Sequence, residues 1–174
     1  MRRQFRPLRF LLVFLGLLTA LFTLEMLRQV QQLAIMPFTG MIASLSAALV
    51  QGFDPAVVAD GITLNDPETG FAVAIQAGCN GVEALIVFVS AVLAFPSGWK
   101  EKVLGIGFGI LTIQGLNLVR IISLFYLGQW NPQAFEWLHL YGWQALIMLD
   151  VLLAFLLWLH FVTGGENEDP LAAP

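Results

Sequence analysis

Residues 103–127 carry a single charged side chain, Arg120, and no other feature constrains this chain so tightly. At about 1.5 Å per helical residue, a run of that length crosses a hydrocarbon layer of roughly 30 Å. Three further segments, 10–27, 81–95 and 137–162, read the same way. Composition agrees: 58% of the 174 residues are apolar and 11% charged, where soluble domains carry about 25% charged residues. The expected fold is therefore an all-α integral membrane protein, with one polytopic domain over residues 1–162 and about four transmembrane helices. The net charge of -4 comes with no basic stripe that would suit nucleic acid, so the surrounding partner is the lipid bilayer. With one cysteine, Cys79, and two histidines, no intramolecular disulfide can form, and neither a metal site nor a cofactor is expected.

Basic residues orient the spans. Arg2, Arg3, Arg6 and Arg9 precede the first, and Lys100 and Lys102 sit in the tight loop between the second and third. Cytoplasmic loops accumulate Lys and Arg, so both regions are expected inside. The first apolar run exceeds the h-region of a signal peptide and no small-residue cleavage site follows, which reads as an uncleaved anchor. An even number of crossings must then separate the N-terminus from Lys100. Segment 33–50, with Thr39, Gly40, Ala43, Ala47 and Ala48 as small residues, is accordingly expected as an interfacial or re-entrant helix on the outer side. Residues 61–76 read as a small outer β-hairpin, with strands at 62–64 and 71–75. Residues 163–174 form an acidic tail, expected in the cytoplasm.

Three polar residues stand out. Cys79 precedes Asn80 and Glu83, a capping-box-like helix start. A helix N-terminus and a nearby cation would both lower the thiol pKa. Taken alone, Cys79 is better explained as a small apolar filler. Arg120 lies inside a span, where an arginine costs at least about 2.5–3.5 kcal/mol and normally faces a partner or a wet cavity, unless it snorkels. Asn117, three residues earlier on the same helix face, is placed to orient it. His139 opens the last span among Trp137 and Tyr141, where an aromatic belt would also put it.

Height along the helices joins these three. Cys79 lies about 27 Å above Ser97, and Arg120 about 26 Å above Val103, at the helical rise. Arg120 and His139 flank the turn near Trp130 almost symmetrically, so all three fall in one layer near the outer face. His160 lies about 31 Å and Asp150 about 16 Å below that layer by the same rise. Asp150 reads as a structural hydrogen-bonding group, with Gln114 a candidate partner, and Glu25 with Arg28 as a simple pair.

A thiolate beside a guanidinium and an imidazole suits nucleophilic acyl transfer. His139 could act as base or as oxyanion donor. Arg120 could stabilise the thiolate, bond the tetrahedral intermediate or assist the leaving amine. At this point the chain resembles a known family. Residues 77–81 (Ala-Gly-Cys-Asn-Gly), 117–121 (Asn-Leu-Val-Arg-Ile) and His139, in that order on successive outer helix ends, are similar to those of exosortases and archaeosortases. The short chain most resembles the exosortase H branch. The resemblance implies an intramembrane cysteine transpeptidase or protease of the bacterial inner membrane, with its site facing the periplasm. It implies membrane-anchored protein substrates ending in a short motif, a transmembrane helix and a basic cluster, of the IPTL type for that branch. It also implies Cys79 as acyl-thioester nucleophile, Arg120 as proton donor and His139 as transition-state stabiliser, with Asn80 and Asn117 in support. Two other classes fit the same composition: a transporter or channel subunit lined by Arg120 and Asp150, and a non-catalytic membrane scaffold.

Overall fold

Prolines set several of the element boundaries. A computed structural model describes residues 6–164, so Arg2, Arg3 and the tail from 165 onward lie outside the described residues. Pro7 opens α1 (Pro7–Glu25), where its missing N–H would be unpaired in any case. After Met26 the backbone turns extended at Leu27, then α2 (Arg28–Val50) begins. Its Gln31–Ile35 turn is π-helical and ends two residues before Pro37. Proline offers no N–H and crowds the carbonyl four residues back, and a widened turn relieves that conflict. Three strands follow: β1 (Val58–Asp60), β2 (Thr63–Asp66) and β3 (Phe71–Ala74). Helix α3 (Val82–Ala94) stops where Pro96 holds Phe95 extended. Helix α4 (Trp99–Trp130) follows, then α5 (Pro132–Thr163), whose Leu138–Gly142 turn is again π-helical. Asn131 caps α5 by accepting from the N–H groups of Gln133 and Ala134.

The all-α membrane architecture is the one expected, but the set of long helices differs. Among the described residues four helices, α1, α2, α4 and α5, are long and apolar enough to cross a bilayer. Helix α3, expected as a full span, has 13 residues, or about 20 Å of rise. Segment 33–50 belongs to a continuous helical run of 23 residues. Its contacts are with β1, β2 and the far half of α4, while α3 packs against α1, α4 and α5. The expected hairpin is a three-stranded antiparallel sheet in the order β1-β2-β3. Strand β1 was not anticipated, because its three residues carry no alternating pattern and exist as a strand only through pairing with β2. Asp66 closes the β2–β3 turn by accepting from the N–H groups of Glu68 and Thr69 and from the Thr69 hydroxyl. Those bonds, that from the hydroxyl foremost, hold its carboxyl below the usual range.

Two apolar cores result. One lies among α3, α4 and α5, around Phe88, Val92, Ile113 and Trp158. The other joins α2 and the sheet to α4, around Ile42, Val50, Leu64 and Phe125. Helix α4, 32 residues long and so about 48 Å, serves both. Gly109 and Gly105 let it approach Phe88 and Trp158, leaving no room for a Cβ. Between the cores lies a polar layer of Asn80, Gln114, Asn117 and Arg120, all buried.

Candidate active site

Strand β3 runs into a turn in which the Cys79 N–H donates to the Gln76 carbonyl at 2.9 Å. Two left-handed glycines then bracket the cysteine, Gly78 at φ 82° and Gly81 at φ 77°. Gly81 is required twice over, since a Cβ there would also collide with the Gln114 side chain. Gly81 rather than Asn80 is the N-cap residue of α3, and the expected capping box is rearranged. The Asn80 Oδ1 accepts from the Val82 N–H at 3.0 Å. Glu83 reaches past Asn80 and accepts from the Gly78 N–H at 2.5 Å. Asn80 is also tied to α2, donating to the Thr39 hydroxyl at 3.1 Å, and its carbonyl accepts from Gln114 at 3.2 Å. The Cys79 loop is thus fastened from three sides.

Arg120 is 2% exposed and spends its two terminal nitrogens on that loop. Nη1 donates to the Gly78 carbonyl at 3.0 Å and Nη2 to the Cys79 Sγ at 3.4 Å. Its Nε has no hydrogen-bond partner among the described residues, and neither has Asn117 Oδ1. The expected Asn117–Arg120 bond is not formed; Asn117 donates to Gln114 instead, at 3.4 Å. Gln114 is therefore engaged within this layer, and Asp150 Oδ2, for which it was a candidate partner, has no hydrogen-bond partner among the described residues.

His139 enters from α5, within the π-helical turn; such turns occur often at functional sites. Its Nδ1 and Nε2 both stand 3.9 Å from the sulfur, so the ring meets Cys79 without committing either nitrogen. Phe135, one turn earlier, stacks on the imidazole with centroids 5.5 Å apart and planes 3° apart. Phe135 was missed in the sequence, although its spacing of four residues from His139 on a helix is a usable signal. Cys79, Arg120 and His139 thus converge on one cavity of about 280 Å³, which residues of β3 and Phe135 also line.

The electrostatics differ from expectation in one respect. Burial pushes the Cys79 thiol above its ordinary value; Arg120 pulls it down and Glu83 pushes it up further. The expected depressed thiol does not result, because desolvation of a half-buried sulfur outweighs the single cation beside it.

A half-buried thiol, a buried guanidinium and an imidazole thus meet at one end of the apolar bundle of a membrane protein. The profile of the transmembrane exosortase family (Exosortase_EpsH) matches residues 2–157, and the chain belongs to that family. No curated relative and no solved structure matches it.

Proposed function

We propose that this chain is an intramembrane cysteine transpeptidase that cleaves C-terminal sorting signals of exported proteins through an acyl-thioester. The observation that carries the reading is the meeting of Cys79 Sγ with Arg120 Nη2 at 3.4 Å and with both His139 nitrogens at 3.9 Å. These groups come from three separate elements. Apo distances of that order shorten in a Michaelis complex.

The residues divide the work by their chemistry. His139 accepts the Cys79 proton, and the thiolate attacks the scissile carbonyl to form a tetrahedral oxyanion. As the C–N bond breaks, His139 returns the proton to the leaving amine, and the acyl group remains on Cys79 as a thioester. An acceptor amine or water then attacks, losing its proton to His139 and expelling the thiolate. Arg120, with a pKa above about 12, is a poor proton donor and a good fixed charge. It stabilises first the thiolate and then the oxyanion. This assignment reverses the roles that the family resemblance implies for Arg120 and His139.

Arg6, Arg9, Lys100 and Lys102, at the opposite end of the bundle, support a cytoplasmic N-terminus and Lys100 loop in the inner membrane, with the Cys79 end facing the periplasm. In that orientation α2, packed on the sheet and the far half of α4, lies at the outer interface. The proposed substrates are membrane-anchored proteins with a C-terminal motif, a transmembrane helix and a basic cluster. The test is Cys79→Ser with a co-expressed candidate substrate of that build. Processing should stop with the level of the variant unchanged; continued processing contradicts the reading.

A further inference from the structure

Strand β3 ends the sheet, so one of its edges has no partner strand among the described residues. The phase of that edge follows from one bond: the Ile75 N–H donates to the Ile62 carbonyl at 2.8 Å. In an antiparallel ladder, successive residues direct their backbone groups alternately to either side. With Val73 opposite Leu64 and Phe71 opposite Asp66, residues 71, 73 and 75 bond to β2. Ala72, Ala74 and Gln76 therefore aim their N–H groups at the free edge, and all three are exposed. Proteins normally protect such an edge with a charge or a proline. From Thr69 to Val82 this chain has neither.

The unprotected edge leads straight to the nucleophile. The cavity that holds Cys79, Arg120 and His139 is also lined by Ala74 and Gln76. The Gln76–Cys79 turn is all that separates strand from sulfur. We propose that β3 is the substrate-docking strand: an extended peptide adds to its free edge as a fourth, parallel strand and delivers its scissile carbonyl to Cys79. Main-chain hydrogen bonds with Ala72 and Ala74 supply the affinity, as in other strand-addition complexes. The small Ala72 and Ala74 side chains leave the approach open.

The parallel direction follows from the acyl-transfer reading, on which this inference rests. After the C–N bond breaks, the residues N-terminal to it stay joined to Cys79. A ladder along β3 then grips the acyl half through the lifetime of the thioester, while the C-terminal half is free to leave. An antiparallel peptide would place the departing half on the strand instead.

Acetyl-alanyl chloromethyl ketones of one to four residues test this on the detergent-solubilised full chain. The Cys79 thiolate displaces chloride from the chloromethyl carbon, forming a C–S bond, with the peptide extending N-terminally as the acyl half would. Each ladder hydrogen bond gained should speed labelling, and the second-order rate should rise roughly tenfold across the series. Ala74→Ser keeps the N–H and should keep the rise. Ala74→Pro removes the N–H at an edge position where proline is tolerated; it should flatten the series while iodoacetamide labels Cys79 as in wild type. N-methylation of successive probe residues gives a second measurement that leaves the protein intact, and slowing should alternate along the probe. A wild-type series that is flat overturns the proposal, as does an equal rise in Ala74→Pro or uniform tolerance of N-methylation. So does Ala74→Pro converting a dimer to a monomer with labelling unchanged, since a second copy would then own the edge. Processing by wild type and its loss in Cys79→Ser is scored separately. A flat series with that pair intact removes the docking strand and leaves the acyl-transfer reading standing.

Discussion

Replacing Arg120 by Leu removes the one cation at Cys79, and its effect on thiol reactivity can be worked out from the structure. Nη2 donates to the sulfur at 3.4 Å from a side chain that is 2% exposed, so solvent screens the contact little. A hydrogen bond to a charged group contributes about 1.5–3 kcal/mol. Its loss should cut the thiolate population at neutral pH by about 10- to 100-fold, since 1.36 kcal/mol is one tenfold step. The thiolate that remains is more basic and hence more nucleophilic, with a Brønsted slope of about 0.4–0.5, so the alkylation rate should fall only about 3- to 10-fold. The sign is fixed by the direction of each influence: Arg120 lowers the thiol pKa, while burial and Glu83 raise it. The variant's midpoint must therefore move up in pH. Arg120→Lys keeps the charge but cannot reach both the sulfur and the Gly78 carbonyl with a fork, and should fall between. His160→Ala, far from the cavity, should match wild type. The assay is iodoacetamide labelling of solubilised protein across pH, with each variant checked for folding. Equal rates and equal midpoints for wild type and Arg120→Leu would show that the guanidinium and the thiol are uncoupled, and the argument for an electrostatic role of Arg120 would fail.

Phe135→Ala removes a stacking contact of about 0.5–1.5 kcal/mol and frees the His139 ring, so substrate processing should slow by about 2- to 10-fold at unchanged protein level; Phe135→Tyr should restore it. Gly81→Ala forces an L-residue into the left-handed region, at about 1–2 kcal/mol, and drives a Cβ into Gln114. Its thermal aggregation in detergent should begin several degrees lower, whereas Gly107→Ala, with open space at the Cβ, should be silent. In a Cys79→Ser background, Met26→Cys and Asp60→Cys should react with an impermeant maleimide from the same side of the membrane; labelling from opposite sides would make α2 a crossing helix.

The meeting of Cys79, Arg120 and His139 was legible in the sequence because short loops and a constant helical rise fix relative heights. Nothing in that reasoning needs tertiary contacts. What escaped depended on them. Asn80 looked like an N-cap from its neighbours alone, but the left-handed Gly81 takes that place one residue later, with no room for a Cβ beside Gln114. Asn117 faces Arg120 on a helical wheel, yet Gln114 claims it from one turn away. The tie from Thr39 to Asn80 spans 41 residues and no local pattern announces it. The thiol was expected to be acidic from the charge beside it, whereas the competing burial is a property of the assembled site. Residues 81–95 read as a full span on hydropathy, but Gly81 and Pro96 trim the helix to 13 residues.

In the proposed reaction Cys79 carries the substrate as a thioester, and mass spectrometry of the acid-quenched enzyme detects that adduct. Wild type mixed with a candidate substrate should yield a Cys79 peptide whose added mass equals the N-terminal cleavage product. Hydroxylamine should remove the adduct, and His139→Ala should abolish it or slow its appearance. Cleavage of the substrate with no adduct on Cys79, or equal cleavage by Cys79→Ala, would rule out Cys79 as the acyl carrier.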